Sequence, residues 1–188
     1  MKSANEQVLR EHIKGTLRRR LEESIEERVT RWLEVRHQRI VAGQHFAPAS
    51  AECLALYRDG YFISTVMVTQ SVAEGIFRLV VKRNNVTDEG DRPEVAKHLV
   101  DKRIISQECA DAFVRIWKSF RNHVHHMNPD VANVPFVKLA KRNITDLATV
   151  EKELFAFRRS KEKFIVANPK YWDCLPDGTA PAFWRFDV

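Results

Sequence analysis

Between residues 4 and 41 apolar side chains recur every four positions, at Ile13, Leu17, Leu21, Ile25, Val29 and the pair Trp32/Leu33, set among Glu and Arg. A spacing of four keeps side chains on one helical face, so this pattern predicts a long amphipathic helix. Gly15 is its weakest point, because Gly costs about 1 kcal/mol relative to Ala inside a helix. Gly43 and Pro48 mark a loop over 42–50, and Ser50 stands where an N-cap is wanted. From 51 to 82 there is no Pro, and YFISTVMVTQSVAEGIF is apolar on nearly every face, which predicts one central helix packed on several sides. Residues 84–92 are polar and turn-like. Pro93 then opens a short helix to about 102, with Val95, Leu99 and Val100 inward. Ser106 caps the next helix, whose stripe is Cys109, Phe113, Ile116, Trp117 and Phe120. Pro129 disfavours helical backbone at Asn128. A last helix runs from about 135 to 157 on Leu139, Ile144, Leu147, Val150, Leu154 and Phe157. No strand pair is expected before residue 160. The remaining stretch includes PKYWDCLPDGTAPAFWRF, whose aromatics are costly to leave in water, so it is expected to wrap over the helices or a second subunit.

These elements predict an all-α protein in three parts: an N-terminal amphipathic extension (1–49), a helical bundle (50–158) and an extended aromatic tail (159–188). With 188 residues and 44% hydrophobic side chains, one substantial core is affordable. Net charge is +6, spread along the chain with no polybasic arm, which suits an anionic partner such as RNA as well as many ordinary proteins. Cys53, Cys109 and Cys174 lie too far apart for a disulfide framework or a zinc knuckle, which points to a reducing compartment and thiols used for packing. The start of the chain has no apolar h-region of a secretory signal. Gln70, Glu74 and Arg78 interrupt the membrane-like stretch Tyr61–Val81, so a buried helix is expected there and a cytoplasmic location for the protein.

The richest chemistry lies in WKSFRNHVHHMNP, residues 117–129, at the end of an amphipathic helix. Arg121 and His125 share one face, as do Asn122 and His126, whereas Arg121 and His126 are about 140° apart on an ideal helix. Arg121 and His126 converge if the last turn unwinds or a second copy faces the first. A transition-metal site on His123, His125 and His126 is disfavoured, because adjacent helical positions point apart and no carboxylate or Cys sits at the usual spacing. Cations at a helix C-terminus are also what dipole complementarity alone selects, so a plain charge patch is the competing reading. Glu74 lies in the most apolar helix and needs a partner, for which Arg121 is the expected choice. Arg18, Arg19 and Arg20 read as a solvated face, and Trp172, Phe183 and Trp184 as packing rather than base-stacking residues.

RNHVHH resembles the R-N-x-x-x-H motif of the HEPN superfamily (higher eukaryotes and prokaryotes nucleotide-binding domain), through Arg121, Asn122 and His126. LVDKRIISQECADAFVRIWKSFRNHVHH is similar to the approach to that motif, and YRDGYFISTVMVTQSVAEGIFR, with Glu74, to the packed helix of these proteins. The resemblance covers roughly residues 50–157. It implies an up-and-down helical bundle, commonly homodimeric, and a metal-independent endoribonuclease of toxin, defence or RNA-processing type that needs no cofactor. His126 would then be general base or acid, Arg121 a phosphate clamp and Asn122 an orienting group, with His123, His125 and Glu74 in support. RNA as substrate, a homodimer, an antitoxin or regulatory partner and no membrane are the partners it implies. A non-catalytic module binding nucleotides, RNA or a protein through the same cleft is the alternative.

Overall fold

The computed structural model describes residues 4–87, 89–119, 129–160, 163–177 and 179–185. Among them, helices dominate: α1 (Ala4–Glu34), α2 (Ala47–Arg58), α3 (Phe62–Arg83), α4 (Arg92–Asp101), α5 (Gln107–Trp117) and α6 (Phe136–Leu154). Four short strands accompany them, β1 (Ile40–Ala42), β2 (Phe157–Ser160), β3 (Lys163–Val166) and β4 (Ala182–Trp184). No described helix is long and apolar enough to cross a membrane. α3 is the hub. Its Val66, Ala73, Ile76, Phe77 and Val80 are sealed against α2, α5 and α6, where Phe113, Ile116, Ile144, Leu147 and Leu154 are sealed in turn. Phe77, Phe113 and Trp117 form a ring cluster, with Phe77 edge-on to Trp117 at 4.8 Å.

The single helix expected over 51–82 is two helices. α2 ends in a Schellman motif: Gly60 N–H donates to Tyr57 C=O at 3.1 Å and Tyr61 N–H to Leu56 C=O at 2.9 Å. Gly60 takes φ +86°, a left-handed conformation that a Cβ resists. Ser50 is not a cap either. α2 begins at Ala47 with Pro48 in its first turn, where the missing N–H costs nothing, which leaves Ser50 buried inside the helix with its Oγ donating to Ala47 C=O at 2.9 Å. Ser106 does cap α5, accepting from Cys109 N–H at 3.1 Å. α1 stops at Glu34 rather than running to 41.

The strands were the other departure from expectation. β1 is buried and pairs antiparallel with β4, Val41 opposite Phe183, and β2 pairs with β3, Phe157 opposite Val166. A three-residue strand is too short to display period-two alternation. Tyr171 and Trp172 are fully buried, and Trp172 meets the rings of Phe155, Phe157 and Phe164. Trp184 stays 55% exposed, unlike its packed neighbours. Cys53 and Cys109 are buried, and burial pushes the Cys53 thiol up to about 12, whereas Cys174 is exposed.

One ion cluster ties the α1–β1 link and the residue after β4 to the bundle. Arg185 grips Glu151 of α6 through two hydrogen bonds, 2.9 and 2.6 Å, and also donates to Gln38 C=O at 3.1 Å and to Ser50 Oγ. His37 places Nδ1 3.3 Å from Glu151 Oε2 and Nε2 3.0 Å from Ile144 C=O. Burial alone would raise the Glu151 carboxyl, but the Arg185 guanidinium and His37 hold it down at about 2. A carboxyl depressed from 4.5 contributes stability that is complete above pH 4.5 and lost as pH falls through about 2. Urea unfolding at stepped pH is therefore expected to show stability falling across that window, and Arg185→Met, which strands Glu151, to cost about 3–5 kcal/mol at neutral pH.

Candidate functional site

Arg121, Asn122, His123, His125 and His126 lie outside the described residues, so the site is built from the groups that hold the chain on either side. α5 ends at Trp117, the described residues run on to Ser119, and they resume at the 3-10 turn Pro129–Asn133 that leads into α6. Ser119, fully buried, is the pin. Its Oγ accepts from Gln70 of α3 at 2.7 Å and from Asn143 of α6 at 2.8 Å, and donates to Ile116 C=O. Gln70 Nε2 also lies 3.1 Å from Ile116 C=O and 3.0 Å from Ser119 C=O. Ile116 C=O also takes the Ser119 N–H at 3.1 Å, so the Gln70 amide adds a donor from α3 at the end of α5. On the other flank Arg115 forks onto Asp146 of α6 at 2.7–3.1 Å. In the sequence the R-N-x-x-x-H motif begins two residues after Ser119, which is fixed from two sides. Gln70 Oε1 and Asn143 Oδ1 accept no hydrogen bond from the described residues, leaving two buried acceptors beside that exit.

Glu74 is one turn beyond Gln70 on α3, and Phe77 nearly one turn further, so positions 70, 74 and 77 share the face turned to the end of α5. Its carboxylate is only part-buried and holds Arg92 of α4 at 2.6 Å and Arg78 at 2.8 Å, both on Oε1. Arg92 also lies over the Phe77 ring at 5.5 Å, and Phe77 abuts Trp117. The carboxylate expected to meet Arg121 therefore already carries two guanidiniums. Next to it, His45, Arg78, Lys82 and Arg83 line a groove of about 240 Å³. Arg78 and Arg83 there are partly neutralised by Glu74 and Asp173.

Sequence reasoning did not single out Ser119, Asn143 or Arg92. Gln70 was visible only as an interruption of an apolar run; a polar residue one turn from Glu74 in that run was the signal. No group of three or more metal-binding side chains occurs among the described residues. No family model matches the chain, and neither a curated protein nor a solved structure matches it.

Replacing Ser119 by Ala leaves the amides of Gln70 and Asn143 without a shared acceptor in a sealed site. Equilibrium urea unfolding is expected to show a loss of about 1–3 kcal/mol. A change below about 0.5 kcal/mol, the size of an ordinary surface substitution, contradicts the pin.

Proposed function

We propose that the protein is a metal-independent endoribonuclease of HEPN type, with Arg121, Asn122 and His126 at the reacting phosphate. The reading rests on the Arg-Asn-x-x-x-His run at 121–126, which begins two residues after Ser119 in the sequence, the buried hydroxyl that α3 and α6 hold. RNA supplies its own nucleophile, the ribose 2′-hydroxyl, so the protein needs only to move protons and offset charge. The 2′-oxygen attacks the adjacent phosphorus, the bond from phosphorus to the 5′-oxygen breaks, and a 2′,3′-cyclic phosphate and a 5′-hydroxyl result. One proton leaves the 2′-hydroxyl and one reaches the departing 5′-oxygen, and no water is consumed.

His126 is the proton-transfer group, since an imidazole titrates near neutral pH and serves as base or acid. Arg121 clamps the phosphate through two donors and offsets the charge that grows on its oxygens. Asn122 orients His126 or the phosphate, and His123 and His125 add positive charge nearby. The fixed end of α5 supports this assignment because pre-set geometry lowers the barrier more than the side chains alone. The groove at His45, Arg78, Lys82 and Arg83 is a surface for flanking phosphates.

Purified protein incubated with labelled single-stranded and hairpin RNAs in EDTA is expected to cleave them, and Arg121→Ala and His126→Ala to lower the rate by roughly a hundredfold or more. Binding of RNA with every substrate left intact by wild type and variants alike overturns the nuclease reading in favour of a non-catalytic binding module. Cleavage abolished by EDTA and restored by a divalent cation replaces it with a metal mechanism.

A further inference from the structure

β2 and β3 form a ribbon that stands off the bundle. Each pairs with the other, Phe157 opposite Val166 and Arg158 opposite Ile165, and neither packs along a helix. One face is anchored: the rings of Phe157 and Phe164 lie 4.6 Å apart, and they meet Trp172 at 6.3 and 5.4 Å. A lone hairpin is marginal in water, so this aromatic contact keeps the ribbon in place. Residues directly opposite share a face, which puts Arg158 with Ile165 on the side away from Trp172, and Arg159 with Phe164 on the other. The two guanidiniums therefore leave β2 on opposite sides of its outer edge, whose backbone N–H groups no described strand takes up.

Arg158 and Arg159 are both exposed, and no described carboxylate pairs with either. Arg28, Arg115 and Arg185, by contrast, each hold an acid. In the sequence Lys161 and Lys163 follow, against Glu162 alone, so residues 157–166 carry +3 of the chain's net +6. This charge is remote from Ser119. Asn143, which bonds Ser119, stands eleven residues before the end of α6 at Leu154, about 16 Å along the helix from where the ribbon begins.

We propose that the outer edge of β2 binds the sugar-phosphate backbone of single-stranded RNA, with Arg158 and Arg159 holding phosphates from its two sides. The choice of RNA rests on the ribonuclease reading above; the choice of a polyanion rests on the unpaired guanidiniums. Each guanidinium forks onto phosphate oxygens, and the strand edge adds N–H donors between them. An anionic membrane surface fits less well, because it needs apolar side chains free to insert, and Phe157 and Phe164 are engaged with Trp172. A duplex of RNA keeps its major groove too narrow for a ribbon, whereas a single strand can follow an edge.

Binding of a fluorescein-labelled, unstructured RNA of about twenty nucleotides tests this, in EDTA and with His126→Ala in the full chain so that the probe stays intact. Adding Arg158→Ala/Arg159→Ala is expected to raise Kd roughly tenfold and to make the slope of log affinity against log salt shallower by about 1.4, with the thermal transition unmoved. Adding Arg18→Ala/Arg20→Ala instead removes the same charge from α1 and is expected to leave Kd within about twofold. Equal losses from the two pairs mean diffuse attraction and overturn the proposal. Unchanged affinity in the ribbon variant overturns it while the ribonuclease reading stands. No RNA binding, or a ribbon-dependent preference for duplex DNA or anionic vesicles, overturns it as well. Ribbon-dependent RNA binding by a wild type that cleaves nothing supports it and removes the ribonuclease reading instead.

Discussion

The buried pair of Arg185 and Glu151 is the contact on which the arrangement of the chain depends. Four separate stretches meet there: the α1–β1 link through His37 and Gln38, α2 through Ser50, α6 through Glu151 and the end of the tail through Arg185. Removing two ions from water is expensive, and the cost is recovered only where geometry is good and the remaining lone pairs find donors. Here the forked Arg185 guanidinium supplies them, with the His37 ring alongside. The cluster therefore fixes where the tail lies more than it adds net stability. With Arg185 placed, β4 falls into register on β1 and Trp172 seals the lower core against Phe155.

That frame sets what α3 and α6 offer to the end of α5. Both helices send an amide to Ser119, and α6 adds the Asp146 fork, so the exit of α5 is held by the helices that build the core. Polar networks of this kind are costly when half-satisfied and specify one geometry when complete. In the sequence residue 121 follows Ser119 by two positions, and Glu74 with Arg92 and Phe77 packs beside the end of α5.

The sequence was legible where a local rule had no competitor. Ser106 followed by a stripe of Cys109, Phe113 and Ile116 read as a capped amphipathic helix, and it is one. Gly60 was overlooked because the apolar run on either side of Asp59-Gly60 outweighed a two-residue turn signal, although a lone Gly after a helical stretch is what a Schellman ending requires. Ser50 misled for the opposite reason: it is a good cap residue, but Pro48 starts the helix earlier. Arg185 gave no signal, since its partner lies 34 positions away and pairing at that separation follows from the tertiary fold. Likewise Gln70, Asn143 and Ser119 lie 24 to 49 or more positions apart and become a unit only when three helices meet.

The central claim is that residues 121–126 direct the 2′-hydroxyl of RNA onto its own phosphate. Mass analysis of the ends left on a short synthetic RNA tests it most directly. The account predicts a 2′,3′-cyclic phosphate on one fragment and a 5′-hydroxyl on the other, with a 2′-deoxy substitution at the cleaved position blocking the reaction. Fragments ending in 3′-hydroxyl and 5′-phosphate, or cleavage that continues at the deoxy position, would contradict it.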